Sequence, residues 1–102
     1  MSRDQLKTIV KNYASELKRN NFDFSNIFVF GSFVKGQTNK YSDIDIAVVS
    51  DKLKKFENYS TLWIAGSQVD SRIEPHGFTV KDFADRANPM ASEIRRTGVQ
   101  VV

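Results

Sequence analysis

The chain has no cysteine, which excludes a disulfide framework, a thiolate metal site and a thiol nucleophile together. Long apolar runs are missing as well. No stretch approaches the length of a membrane span, and the opening "MSRDQLKTIV" spreads charges where a signal peptide would be apolar. A soluble, cytoplasmic protein with no membrane partner is the expectation. Charge of one sign is also scarce: fifteen Lys plus Arg against twelve Asp plus Glu leave a formal +3. That excess is too small and too scattered to form a nucleic-acid surface, and no aromatic-rich strand motif of an RNA-binding sheet is present. Nucleic acid is therefore not expected as a non-catalytic ligand. Repeats, low-complexity tracts and interior linkers are absent too. Residues 1–102 are expected to form one domain around one core, burying roughly 60–65% of the unfolded surface.

What is present reads as helices packed on a small sheet. Leu6, Ile9, Val10, Tyr13, Ala14 and Leu17 recur on one stripe of a helix over Arg3 to Arg19, opened by a Ser2–Gln5 capping box. Ile27 to Phe30 and Ile44 to Val49 read as strands, with a helical turn over Ser32 to Lys35 and a loop, "GQTNKYS", between them. A helix is predicted from Lys52 to about Gly66, and a third strand over Val69 to Ile73, ended by Pro75. Short helices over Thr79–Asp85 and Ala91–Arg96 precede a possible edge strand, "VQVV". The order predicts an α/β (α+β) fold with a mixed sheet of three to four strands.

Two carboxylates interrupt the second strand. Asp43 and Asp45 stand two apart and so project from one face, while Ile44, Ile46 and Val48 turn to the core. Side-by-side carboxylates raise each other's pKa unless a cation lies between them. All-oxygen ligands suit a hard ion, Mg²⁺ above all, with Mn²⁺ able to substitute. An Asp-x-Asp pair alone is weak, because a solvated strand end can carry two acids without purpose. The preceding strand strengthens it. A strand that ends in Gly31-Ser32 and turns into a helix presents backbone N–H groups to an anion. Gly31 lets the backbone come close, Ser32 adds a hydroxyl, and Lys35 lies one turn further on. Joined to the acid pair, this describes a metal–polyphosphate site. Asp70 and Glu74 offer a third carboxylate for a two-metal centre. Arg72, on the face of both, serves equally well as their ion-pair partner or as a phosphate contact.

"GS", ten residues, then "DID", set between two strands, resembles the polymerase beta-type nucleotidyltransferase superfamily, and within it the small free-standing minimal nucleotidyltransferases of bacteria and archaea. The similarity runs from roughly Ile27 to Ile73. It implies that Gly31 and Ser32 grip a nucleoside triphosphate, that Asp43 and Asp45 bind two Mg²⁺ ions, and that Gly36 matches a glycine of the family. "VDSRI" is similar to the hydrophobic-Asp-x-Arg-hydrophobic strand of DNA polymerase beta, so Asp70 is taken as the third, catalytic carboxylate, with Glu74 in reserve. Lys35 stands where the minimal proteins often have arginine; charge is kept but the bidentate fork is lost. The resemblance implies transfer of a nucleoside monophosphate, AMP from ATP, onto a hydroxyl with release of pyrophosphate. The alternative it implies is a catalytically weak interaction module, the antitoxin-like partner of a small helical (HEPN-type) protein. Self-association is left open.

Three further readings come from the residues alone. His76, the only histidine, follows Pro75 and precedes Gly77, so it reads as a surface turn residue ahead of a general base or nucleotide contact. Trp63 reads as a core anchor. Lys52, Lys54 and Lys55 read as a solvated helix start.

Overall fold

The computed structural model describes residues 1–36 and 42–102, apart from the side chain of Lys35. Helix α1 spans Arg3–Arg19 and opens on the expected capping box: Gln5 N donates to Ser2 Oγ (3.1 Å) and Ser2 N to Gln5 Oε1 (2.8 Å). Asp4 in its first turn and Lys18 and Arg19 in its last suit the helix dipole. Strand β1 (Asn26–Phe30) leads through Gly31 into the single turn α2 (Ser32–Lys35), and β2 covers Ile44–Val49. Two 3₁₀ turns, Asp51–Lys54 and Phe56–Asn58, precede α3 (Tyr59–Val69). Strand β3 (Ile73–Phe78), helices α4 (Val80–Ala84) and α5 (Pro89–Thr97) and the short β4 (Val99–Gln100) complete the chain.

The four strands form one mixed sheet in the order β3-β2-β1-β4. β1 runs antiparallel to β2 and β4, with Phe30 opposite Asp45 and Phe28 opposite Ala47. β3 runs parallel to β2, with Asp45 opposite Glu74 and Ala47 opposite His76. α1 and α3 cover one face, where Val10, Tyr13, Leu17 and Leu62 pack on Ile27, Val29, Ile44, Ile46, Val48 and Ile73. α4 and α5 cover part of the other face, where Ala91, Ile94 and Phe83 meet Ala47, Phe28, Phe30 and Phe78. The fold is α/β, as the element order predicted.

The third strand differs from its predicted place. Helix α3 continues three residues beyond Gly66, so Val69 is its last residue and the strand begins only at Ile73. Gly66 is not a helix stop but a packing position, since a Cβ there would stand 3.1 Å from Ile73 Cγ2. Pro75 lies inside β3 instead of ending it. Ile44 N donates to Arg72 O and Ser50 N to Phe78 O, so the even-numbered residues of β3 address β2. The missing N–H of Pro75 thus falls on the open edge, where it costs no ladder bond.

Trp63 is the second departure. The inward positions of α3 are Leu62, Ala65 and Gly66, which leaves Trp63 and Ile64 more than half exposed, at 53% and 57%. Lys52 and Lys54 do lie at the surface, Lys52 Nζ donating to Asn21 O at 2.8 Å and Lys54 pairing loosely with Asp51. Among the described residues no helix is long and apolar enough to cross a membrane.

Candidate active site

The two apolar faces of the sheet are not equally covered. On the α4/α5 side, helices reach Ala47 and Phe78, and the acidic residues lie toward the other end of the same strands. Asp45 is the one position of β2 that is not fully buried. Its neighbours in register are Phe30 on β1 and Glu74 on β3. Gly31 packs directly against it. A side chain at Gly31 would run into the Asp45 carboxylate, and the backbone there has φ of 78° and ψ of −147°, a conformation nearly restricted to glycine. The chain therefore passes bare backbone across the carboxylate before α2 begins. Ser32 follows, half-buried, as the first residue of that turn.

Asp43 is exposed, just ahead of β2. It reaches across to Glu74. A side-chain hydrogen bond with Asp43, then partial burial, then the charges of Asp45 and Asp43 push the Glu74 carboxyl above its ordinary range, against an opposing pull from His76. Two carboxyl groups can share a hydrogen bond only if one holds a proton, so this arrangement marks a place where negative charge is crowded.

The two candidates for a third acid are separated by the turn that enters β3. Asp70 is the C-cap of α3, its N–H bonded to Gly66 O at 3.0 Å. Arg72 engages both its carboxylate oxygens: Nε and the backbone N donate to Oδ1 at 3.0 and 2.9 Å, and Nη2 donates to Oδ2 at 2.8 Å. These bonds hold the Asp70 carboxyl below the usual carboxylate range. Glu74, by contrast, stands beside Asp45 in the sheet. The expectation that Asp70, Arg72 and Glu74 share one strand face is corrected, because only Glu74 is in the strand. Lys35, the other expected contact, has its side chain outside the described residues, as do residues 37–41 of the loop.

His76 enters the cluster unforeseen. It lies in β3 and not in a turn, two residues beyond Glu74 and on the same face. Its Nε2 stands 3.4 Å from Asp45 Oδ1 and 3.9 Å from Glu74 Oε1. The Phe30 ring meets the imidazole edge-on, 5.1 Å between centroids. Asp45, Glu74 and His76 each offer a ligand atom within 4.8 Å of the other two, the only such group of three among the described residues. A signal was available: Glu-Pro-His places the ring two positions after the acid, once proline is admitted to an edge strand.

Carboxylate oxygens from two neighbouring strands and an imidazole nitrogen, all within 4.8 Å of one another, fit a divalent cation by donor chemistry. No curated protein matches the chain. Among solved structures, it is similar to a toxin–antitoxin determined with AMP-PNP, with a TM-score of 0.64 and 23% identity over 90% of this chain and 72% of that one. It is also similar to a protein of Sulfolobus solfataricus described as a nucleotidyltransferase, with a TM-score of 0.62 and 15% identity over 94% of this chain and 78% of that one. At these identities the likeness is one of fold. A family profile described as polymerase beta, nucleotidyltransferase, matches residues 10–102. With strand, glycine turn and paired acids arranged as above, the chain belongs to the polymerase beta-type nucleotidyltransferase family.

Proposed function

We propose that this protein transfers a nucleoside monophosphate, AMP from ATP, onto a hydroxyl and releases pyrophosphate. The observation that carries the reading is the in-register pair Asp45–Glu74 on parallel strands, with the Gly31 backbone laid against Asp45. Asp43, Asp45 and Glu74 are the residues that would hold Mg²⁺. When bound, the metal neutralises charge on the phosphate oxygens of donor and leaving group. Gly31 and Ser32 bring backbone and hydroxyl donors to the triphosphate, and the missing Cβ keeps that approach open. Glu74 takes the part that the resemblance gave first to Asp70. It lies opposite Asp45 in the sheet register, and in this reading its carboxylate receives the proton of the attacking hydroxyl. Asp70, held by Arg72, instead fixes the turn into β3.

Incubation with α-phosphate-labelled ATP, Mg²⁺ and native cell extract tests this. Label should pass to an acceptor, and Asp45→Asn or Glu74→Gln should lower transfer by a factor on the order of 10² or more, as expected when a group that stabilises developing charge is lost. Asp70→Asn should leave most of it. Undiminished transfer by Asp45→Asn would rule out this site.

A second reading, docking of a small helical partner, is favoured by one observation: Phe56, Trp63 and Ile64 are large apolar side chains left in solvent on or just before α3. The similarity to a toxin–antitoxin structure is in keeping with it. Co-expression with the product of an adjacent reading frame for a small helical protein, followed by light scattering, should give a complex that Trp63→Glu weakens.

A further inference from the structure

The site contains a donor that a purely carboxylate centre lacks. His76 Nε2 is 3.4 Å from Asp45 Oδ1 and 3.9 Å from Glu74 Oε1. Ligand atoms about 2.1 Å from an octahedral ion stand about 3.0 Å apart when adjacent and about 4.2 Å when opposite. The His76 separations, 3.4 and 3.9 Å, fall between those two values, and all three atoms lie within 4.8 Å of one another, from residues on one face of two paired strands. Ala47 opposite His76 is too small to crowd the ring, and Phe30 holds it edge-on toward the acids. The three side chains remain reachable from solvent, at 22% exposed for Asp45, 39% for Glu74 and 24% for His76.

We propose that His76 is a direct nitrogen ligand to the metal held by Asp45 and Glu74, which makes this a mixed nitrogen–oxygen site that prefers a first-row transition dication to Mg²⁺. The inference rests on the reading of the acidic cluster as a metal centre. Imidazole nitrogen bonds weakly to Mg²⁺, which favours oxygen and keeps its waters, whereas first-row transition ions accept nitrogen readily. His76 therefore sets ion preference, while the acids set ion binding.

Mn²⁺ is the probe, because its electron spin resonance reports directly bonded nitrogen without any turnover. The wild-type protein should bind Mn²⁺ with imidazole nitrogen coupling in the spin-echo spectrum. His76→Gln should lose that coupling and weaken Mn²⁺ binding by about tenfold or more, on the scale seen for groups that support metal ligands, with a much smaller change for Mg²⁺. His76→Ala, checked by circular dichroism for intact fold, should behave alike, and Asp45→Asn should weaken both ions. Mn²⁺ bound without nitrogen coupling overturns the inference and leaves the metal centre standing. So does tighter Mn²⁺ binding by His76→Gln, the signature of a charged imidazole that competes with the ion. Failure of the wild-type protein to bind either ion removes the metal centre and the inference together.

Discussion

Gly31 carries two constraints at one residue: a backbone angle that other residues rarely adopt, and an acid where its Cβ would be. Gly31→Ala should therefore destabilise by about 1–3 kcal/mol from backbone strain alone, with further displacement of Asp45. Urea unfolding measures the first effect, and labelled transfer should fall even at temperatures where the variant is folded. Asp70 makes a different kind of prediction. Its carboxyl is held below the usual range by hydrogen bonds from Arg72, so the folded state binds its proton less tightly than the unfolded state. The stabilisation is then present above the unfolded carboxylate pKa and is lost as pH falls through the lower folded value. Asp70→Asn keeps an acceptor for the Arg72 N–H but removes the charge. It should cost about 0.5–1 kcal/mol at pH 7, the scale of a solvent-accessible pair, and the gap to the wild type should close in strong acid. Urea midpoints at pH 7 and near pH 2 check both ends.

The elements were legible where local signals agreed. Ser2 and Gln5 bracket the start of α1, and the apolar spacing through Leu17 gives its buried face. Asp43-Ile44-Asp45 needed only strand alternation. The error at β3 came from two residues whose local meaning was overruled. Gly66 has a helix-ending signature, yet its lack of a side chain is used to bring α3 against Ile73. Pro75 has a strand-ending signature, yet the open edge of the sheet makes its missing donor harmless. With the strand displaced, the local signals set Asp70, Arg72 and Glu74 on one strand face and His76 in a turn, whereas Glu74 and His76 lie in β3 and Asp70 caps α3. Trp63 was misjudged for a related reason, since Leu62 to Ala65 form one unbroken apolar run that does not say which of its positions are buried. The contact between α1 and α3 offers a test at this scale. The buried Tyr13 hydroxyl donates to Leu62 O at 2.9 Å, and burial raises the phenol pKa well above its usual value. Tyr13→Phe should cost about 0.5–1.5 kcal/mol, the net worth of one buried hydrogen bond, since the mid-helix Leu62 carbonyl keeps its intrahelical partner, measured as a shift in urea midpoint.

For the whole molecule, β2 is the shared spine. Its apolar residues Ile44, Ile46 and Val48 face the α1/α3 layer, while Asp45 faces the site. Ile46→Ala should therefore remove about 2–5 kcal/mol, a large share of the roughly 5–15 kcal/mol such a domain possesses, visible as a marked drop in thermal midpoint. The sequence by itself determined the helix-and-sheet class, the Gly31-Ser32 turn and the Asp43–Asp45 pair, because each depends on neighbours within a few positions. Only the tertiary structure decided which later acid stands by Asp45 and that an imidazole joins them. Those outcomes depend on the register of two strands joined through a helix, and register is set by packing across the sheet, not by the text between its strands.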